Sequence, residues 1–414
     1  MTSERLLKEK ESKIFWKYVL PSVAGMVGMS LYIFADTFFI ANGIGPAGLT
    51  ALNIALPIFG FMTGLGLMIG VGGATTFSIA KGRGNSKKQN ATFTLAFIIS
   101  AIIGIVFTLV GIIYAREIGY MLGATETSID MVEIYIRTVL MFFWAFMLNN
   151  NLSAFIRNDG APKLAMTAML ISTLSNVILD YIFVFPLKLG IFGAALATGM
   201  SPIISLIILS YHFIKKRNSF RFTKVKVSFI KVREILSGGV TSFLTEISMS
   251  IVIFIFNLFI IKFQGDIGVS AYAIITNFAY IAVAIFNGIG QGIQPIISVN
   301  YGAMKKERVL NILNLSVKVA FVTGVVCFIS GLVLPEQLVA MFNSEGSVEL
   351  RNIAVPAVRI YFSAFMFMGV NMIMGLFLQS VSMPSNSAIL SMFRGTIFVI
   401  IAVILLSPLL QING

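Results

Sequence analysis

Charge is what this sequence has least of. Only 11% of its 414 residues are Asp, Glu, Lys or Arg, whereas 57% are hydrophobic, and the mean hydropathy is +0.93. A soluble domain has about 25% charged residues, which cover the surface that faces water. A chain of this length with so little charge could not cover itself, so we predict that lipid surrounds most of it.

Cysteine and histidine are almost absent. The single cysteine, Cys327, lies inside an apolar run, which excludes a disulfide framework. The single histidine, His212, precedes a basic run at a predicted helix end, where an interfacial position is expected for it. The sequence also has no phosphate-binding loop or adenine-binding cassette, so we expect no enzymatic activity and no cofactor, and energy from an ion gradient.

Lys and Arg exceed Asp and Glu, which gives a formal charge of +13. These residues cluster in short loops between apolar segments, as in residues 215–233, so they are expected to set topology and not to bind nucleic acid. Loops on the N-terminal side hold 22 of them and loops on the other side hold 6. The asymmetry predicts a cytoplasmic N-terminus, and residues 1–17 lack the apolar core of a signal peptide.

Apolar segments long enough to cross a bilayer recur along the whole chain. A spanning helix needs about 20 such residues. We predict eleven spans, at residues 18–41, 48–80, 91–114, 134–156, 162–186, 190–213, 236–262, 268–300, 309–334, 354–381 and 385–408. The second and eighth are long and rich in glycine, which indicates tilted or bent helices.

The two halves of the chain repeat one another at an offset of about 220 residues. The matching positions are Gly70, Gly72, Ser78 and Gly82 in the first half and Gly290, Gly292, Ser298 and Gly302 in the second. Six spans per copy return the chain to its starting side, so both copies share one orientation. The predicted fold is an all-α membrane protein with two pseudo-symmetric six-helix bundles around a central cavity.

The second copy is one span shorter than the first. The sixth span begins near Gly190, whereas the chain ends at Gly414, where the equivalent helix would begin, so we interpret the twelfth span as missing. The expected organisation is a cytoplasmic segment 1–17, a first lobe 18–214, a basic cytoplasmic linker 215–234 and a second lobe 235–414.

Polar residues meet at one predicted depth in the first bundle. At 1.5 Å per residue, the side chains of Asp36, Asp180 and Thr198 lie about 9–12 Å from the outer boundary, and Asn176, four residues before Asp180, shares its helix face. Two carboxylates in a low-dielectric pocket favour holding a proton, and with amide and hydroxyl oxygens the same pocket could hold Na⁺. The alternative is that these groups only join helices through hydrogen bonds.

Four other residues carry open alternatives. Glu246, near mid-membrane in the seventh span, could contact a cationic substrate, act as a second proton site or be structural. Pro21 either marks the start of the first helix or bends it. Arg394 and Lys318 are expected at the interface or on helix carbonyls in preference to a substrate.

Several motifs together resemble the MATE (multidrug and toxic compound extrusion) family of the MOP flippase superfamily, nearest to its prokaryotic DinF-like and MepA-like branches. They are Asp36 in span one, Arg157-x-x-Gly160-x-Pro162, Asn176-x-x-x-Asp180 and the run Gln294–Ala303. The resemblance covers residues 14–414.

This resemblance implies an exporter of organic cations and drugs, driven by antiport with H⁺ or Na⁺. It implies a monomer in a prokaryotic cytoplasmic membrane, with membrane lipids as neighbours and small molecules as substrates. The family's cation site would fall on Asp36, Asn176, Asp180 and Thr198, with a hinge at Pro21. The NorM-like branch pairs a glutamate matching Glu246 with an aspartate in span ten, where this chain has only Asn371.

Two other functions are weighed against drug export. A flippase for lipid-linked precursors would need a basic cavity, whereas the acidic residues in spans one, five and seven disfavour one. A channel or membrane receptor is disfavoured by the two-fold repeat.

Overall fold

The computed structural model describes residues 3–342 and 347–410, and every regular element in these two ranges is helical. The helices are α1 (Ser3–Lys8), α2 (Glu11–Gly43), α3 (Pro46–Gly82), α4 (Ser86–Met121), α5 (Ile129–Met141), α6 (Phe143–Asn158), α7 (Pro162–Val184), α8 (Gly190–Ile214), α9 (Phe229–Gly302), α10 (Lys306–Val333), α11 (Pro335–Ala340), α12 (Val348–Ser363), α13 (Phe365–Ser380), α14 (Pro384–Met392), a π-helical turn (Phe393–Ile397) and α15 (Phe398–Leu410).

The predicted all-α membrane fold is confirmed. In the part of the chain that the structure describes, nine helices or helical segments are long and apolar enough to cross a bilayer, and two bent pairs bring the number to as many as eleven. That number agrees with the eleven spans expected from hydropathy. A twelfth span in a complete protein stays a prediction.

The two bent pairs are a feature that hydropathy did not predict. Helices α5 and α6 meet at 45° and α12 and α13 at 42°, at breaks on Phe142 and Ala364. At the first break, the backbone N–H of Trp144 donates to Thr108 Oγ1 at 3.4 Å, so this polar group has a partner outside its own helix. The bends occupy equivalent places in the fourth and tenth spans, as two copies of one bundle require.

Helix α9 holds both the seventh and the eighth predicted spans. Its backbone is helical from Phe229 to Gly302, yet the rings of Phe256 and Tyr272 stack with centroids 5.3 Å apart. Sixteen residues of straight helix would separate them by about 24 Å. The chain therefore reverses between these rings, and the two spans run antiparallel.

The apolar residues form two cores, and α2 contributes to both. One core extends from Ile40 to Ile235, and the other joins Leu6, Ile14, Phe15, Tyr18 and Val19 to residues between Ala271 and Val381. The first half of α2 thus packs with the second lobe and its end packs with the first. Pro21 lies between these parts, inside the helix, so the view that it marks the helix start is wrong.

The lobes touch through glycines at the ends that face the predicted cytoplasm. A Cβ on Gly72 would meet the backbone of Ile235 and Gly239, and a Cβ on Gly292 would meet that of Tyr18 and Val19. The repeat relates these two contacts. In the first, α3 packs against the seventh span, and in the second, the eighth span packs against α2. The absent side chains let the backbones touch, which closes the lobes against each other on this side.

Residues 215–228 connect the lobes and are held by the first one. Phe220 is fully buried against the rings of Phe77, Phe93 and Phe155. The last six residues of the predicted linker 215–234 are helical, because α9 begins at Phe229.

A buried ionic network lies where this connection leaves α8. Asp159 accepts hydrogen bonds from Lys81 Nζ at 2.8 Å and from the backbone N–H of Ser219 at 2.8 Å, and it contacts His212 Nε2 at 2.9 Å. His212 is only 2% exposed, so the expectation of an interfacial histidine is wrong. Burial alone would raise the pKa of Asp159, but the hydrogen bond from His212 and the charge of Lys81 outweigh it and lower that pKa.

Candidate functional site

Three helices bring the expected polar cluster of the first lobe together. Helix α7 begins with Pro162 at its first turn, after Gly160 at a φ of +100°, and this start places Asn176 and Asp180 on one helix face. Asp36 comes from α2 and Thr198 from α8. All four cluster residues are buried, with exposures between 0% and 7%.

Direct contacts join the members of this cluster. The carboxyl groups of Asp36 and Asp180 lie close enough to interact directly. Two carboxyl groups can share a hydrogen bond only when one of them carries a proton. With its amide oriented to satisfy both ends, Asn176 donates to Asp180 Oδ2 at 3.3 Å and accepts from the backbone N–H of Thr198 at 3.3 Å. The cluster is thus one connected network across α2, α7 and α8.

Three oxygens of the cluster have unused hydrogen-bonding capacity. Asp36 Oδ1, Asp180 Oδ1 and Thr198 Oγ1 are buried and have no hydrogen-bond partner. If the cluster served only to hold helices together, these oxygens would stay without hydrogen bonds, at a cost in folding free energy. A bound proton or a hard cation would use them. The residues present therefore fit either ion.

A second polar region lies between the lobes, in an open cavity whose empty space is about 530 Å³ when the part continuous with solvent is included. Its polar lining includes Thr245, Glu246, Asn287, Gln291 and Arg394, and its apolar lining includes Met26, Leu67, Val71, Met372 and Leu376. A neighbouring cavity shares Met26 and Gln291 with it and is lined by Pro21 and Arg157. Apolar walls with a few polar groups are typical of small-molecule sites.

The charged residues of the spans do not all lie where the sequence suggested. Glu246 lines the central cavity, but Asn371 is exposed on α13 and is not among the described lining residues. Lys318 is exposed on α10. Arg394 also lines the cavity, whereas a position at the interface or on helix carbonyls was expected for it in preference to one that faces a substrate. The signal that pointed to it was present, because a lone arginine inside an apolar span is costly unless it serves a function.

These features define a polytopic helical membrane protein built from two repeated lobes, with an acidic cluster in one lobe and a cavity between both. The chain belongs to the MATE family, because the family profile named MatE matches residues 21–182 and 242–405. The two matches fall on the two lobes. MATE proteins are transporters, not enzymes, and need no cofactor.

Known relatives agree with this assignment. The multidrug export protein MepA of Staphylococcus saprophyticus is 25% identical over 404 residues, which are 96% of this chain and 89% of the relative. A crystal structure of a MATE protein in complex with MaL6 has a TM-score of 0.91 at 24% identity, covering 98% of this chain and 91% of that one. A MOP superfamily transporter from Pyrococcus furiosus, described as having a binding pocket of reverse polarity, has a TM-score of 0.90 at 23% identity and covers 100% and 93%. The bacterial relatives indicate a cell membrane as the location.

Proposed function

We propose that this chain exports amphiphilic organic compounds, including drugs, by antiport with protons. The observation that carries the coupling is the close pair of buried carboxyl groups, Asp36 and Asp180, which cannot both be ionised without a large free-energy cost unless a cation binds. Export of drugs is supported by the likeness to the multidrug export protein MepA and by the apolar, adaptable walls of the central cavity.

The proposed cycle uses the two lobes as rigid bodies. Substrate enters the central cavity from the predicted cytoplasmic side, and the lobes then close there through their glycine contacts. A proton arriving from the other side at Asp36 and Asp180 repacks α2 near Pro21 and weakens substrate binding. Linkage requires that substrate in turn lowers proton affinity, by about 1–3 kcal/mol of coupling.

Ethidium efflux from cells that express the chain tests this function, with Asp36→Asn compared with the unchanged protein. Removing the titratable group should reduce efflux by at least about tenfold. Asp130→Asn is the matched control, because Asp130 is exposed outside the spans and its side chain is 83% accessible. Efflux by Asp36→Asn at the unchanged rate, at equal amounts in the membrane, would show that the cluster is structural.

Proteoliposomes separate the two candidate ions. In proteoliposomes without Na⁺, an acidic lumen should drive uptake of ethidium, because antiport exchanges outgoing protons for incoming dye. A Na⁺ gradient at equal pH should drive no uptake. The opposite result would assign the same cluster to Na⁺, which its unused oxygens also fit.

A further inference from the structure

The smaller cavity beside Pro21 differs in charge from the central cavity. Its empty space is about 290 Å³ when the part continuous with solvent is included. Arg157 is the only charged residue among its described lining residues, whereas Glu246 and Arg394 both line the central cavity. This space, which we call the Arg157 cavity, therefore has one positive charge and no carboxylate in its described lining to balance it.

The guanidinium of Arg157 is buried and lacks a partner. Arg157 lies in the last turn of α6 and is only 7% exposed. Its Nε makes no hydrogen bond, and none of the ion pairs among the described residues includes it. Asp159, two residues further on, contacts Lys81 and His212 instead. A buried cation in this position is costly unless an anion from outside the chain pairs with it.

A second hydrogen-bond donor of the same cavity is also without a partner. Ser22 lines the cavity next to Pro21 and is 8% exposed, and its buried Oγ makes no hydrogen bond to the described residues. The first turn of α7 reaches the cavity through Pro162, and the positive end of a helix dipole favours negative charge. Three separate elements, α2, α6 and α7, thus make this space attractive to an anion.

The lining also limits the charge and size of that anion. One guanidinium balances one negative charge, and the walls around it are largely apolar, including Ala165, Met166 and Met169. A divalent anion would keep an unbalanced charge in this low-dielectric space. Removing its water shell would also cost more than for a single charge. The chemistry that fits is a small monovalent anion.

The Arg157 cavity lies where α2 passes from one lobe to the other. Arg157 belongs to the first lobe and Gln291 to the eighth span, in the second lobe, and both line the cavity. Tyr18 and Val19, which shortly precede Ser22, pack in the core of the second lobe. An anion between Arg157 and Ser22 would therefore connect parts of the chain that separate when the lobes open on the predicted cytoplasmic side.

We propose that the Arg157 cavity binds one small monovalent anion, such as chloride, and that this anion stabilises the closed arrangement of the lobes. The guanidinium of Arg157 supplies the charge, and the hydroxyl of Ser22 donates a hydrogen bond. Opening carries Ser22 away from Arg157 and releases the anion, so by linkage the bound anion opposes opening. The site is separate from the acidic cluster and from the central cavity to which the exported compounds are assigned.

NMR of the chloride nucleus tests binding on the unchanged chain. In an uncharged maltoside detergent, chloride that exchanges with a site on the purified protein broadens the signal of chloride in solution. We expect a saturable excess broadening that bromide displaces and that sulfate at the same concentration does not. Absence of a saturable component would overturn the proposal, and equal displacement by sulfate would overturn the assignment to a monovalent anion.

Substitutions then assign the bound anion to this cavity. Arg157→Gln should weaken the affinity for chloride at least about tenfold, and Ser22→Ala about threefold, because each removes a donor to a charged acceptor. Arg359→Gln is the matched control, since Arg359 lies on the exposed face of α12 and is not among the described lining residues. An unchanged affinity in Arg157→Gln would place the anion elsewhere and overturn the site.

Ser22→Asp keeps the test open if Arg157→Gln fails to fold. The introduced carboxylate would take the place of the anion beside Arg157, so this variant should fold and lose the saturable broadening. A purely structural role of Arg157 would not produce this loss. Chloride binding in Ser22→Asp as tight as in the unchanged chain would contradict the proposal.

The effect on the lobes is read from the maleimide labelling of a cysteine at Ile235, which is 2% exposed, in the Cys327→Ser background. Replacing gluconate by chloride at constant Na⁺ should slow the labelling at least about threefold, because the closed population rises. Ser22→Asp should label slowly in both salts, since its own carboxylate replaces the anion. Equal labelling rates of the unchanged lobes in chloride and gluconate would show that the anion does not stabilise the closed arrangement.

Discussion

A substitution at Thr198 can show whether the coupling ion is a proton or Na⁺, because it can remove a single oxygen atom from the cluster. Thr198 Oγ1 is buried without a hydrogen-bond partner beside the Asp36–Asp180 pair. Thr198→Val keeps the shape of the side chain and removes only this oxygen. If the ion is a proton carried by the carboxyl groups, efflux should stay within about twofold of the unchanged chain, because a proton needs no hydroxyl ligand.

The measurement is ethidium efflux at a fixed pH gradient, repeated over a range of Na⁺ concentrations. Asp180→Asn in the same assay should abolish coupling, as Asp36→Asn does. A tenfold loss in Thr198→Val that high Na⁺ restores would contradict the proton assignment and make Thr198 a metal ligand.

At the scale of single residues, the sequence predicted the acidic cluster better than it predicted the charged residues around it. Depth and helical spacing sufficed for Asp36, Asn176 and Asp180, because two short helical segments fix where their side chains meet. They could not place Arg394 or His212. The position of Arg394 depends on a π-helical turn, and that of His212 on a carboxylate 53 residues away in the chain. Neither has a local sequence signature.

At the scale of helices, the crossing of α3 with the seventh span depends on Gly239. A Cβ there would meet the backbone of Met68, with the carbonyl carbon 2.5 Å away, so the helices would have to separate. We expect Gly239→Ala to open the lobes on this side. Gly375→Ala is the control, because a Cβ there meets only Ser391 Oγ at 3.5 Å and alanine favours a helix.

Maleimide labelling of a cysteine at Ile235 reads this opening, since Ile235 belongs to the seventh span, is only 2% exposed and packs in the core of the first lobe. The background is Cys327→Ser, which removes the only native cysteine. Gly239→Ala should speed the labelling by at least about tenfold, which corresponds to a shift of the closed population. An unchanged rate would mean that the closed contact tolerates the methyl group.

The connection between the lobes is the second element whose role can be tested. Asp159→Asn would leave Lys81 buried without its partner, at a cost of about 3–5 kcal/mol, and would release residues 215–228 from the first lobe. The apparent melting temperature in detergent should fall by roughly 5 °C or more. Lys88→Gln removes the exposed pair with Glu234 and should cost at most about 1 kcal/mol.

The sign of the pH dependence follows from the lowered pKa of Asp159. A carboxyl group whose pKa is lower in the folded state stabilises the fold fully above its unfolded pKa of about 3.9, and this contribution is lost as the pH falls through the folded value. The stability difference between the unchanged chain and Asp159→Asn should therefore be constant from pH 6 to 8 and shrink only in strong acid. A difference that disappears near pH 6 would contradict the assignment to Asp159.

At the scale of the whole molecule, hydropathy and the repeat predicted the number of spans and the two lobes, because lipid imposes both length and polarity on every helix. They did not predict the bends at Phe142 and Ala364, where no proline or glycine marks a break. They also assigned residues 1–17 to a separate segment, whereas Leu6, Ile14 and Phe15 are buried in the core of the second lobe. These features depend on packing between segments that are far apart in the chain. The hydrophobic periodicity of a single helix contains no information about that packing.

The closed arrangement of the lobes leads to a prediction for transport itself. Lys88 of the first lobe pairs with Glu234 of the second at 2.6 Å, on the exposed surface next to the glycine contacts. Alternating access requires these positions to separate in every cycle. A short, reducible bis-methanethiosulfonate linker between cysteines at Lys88 and Glu234, in the Cys327→Ser background, should therefore abolish ethidium efflux, and a reducing agent should restore it. The single cysteine at Lys88 controls for modification without cross-linking. Full efflux with quantitative cross-linking would mean that the lobes move without separating on this side, and the substrate path would then have to lie within a single lobe.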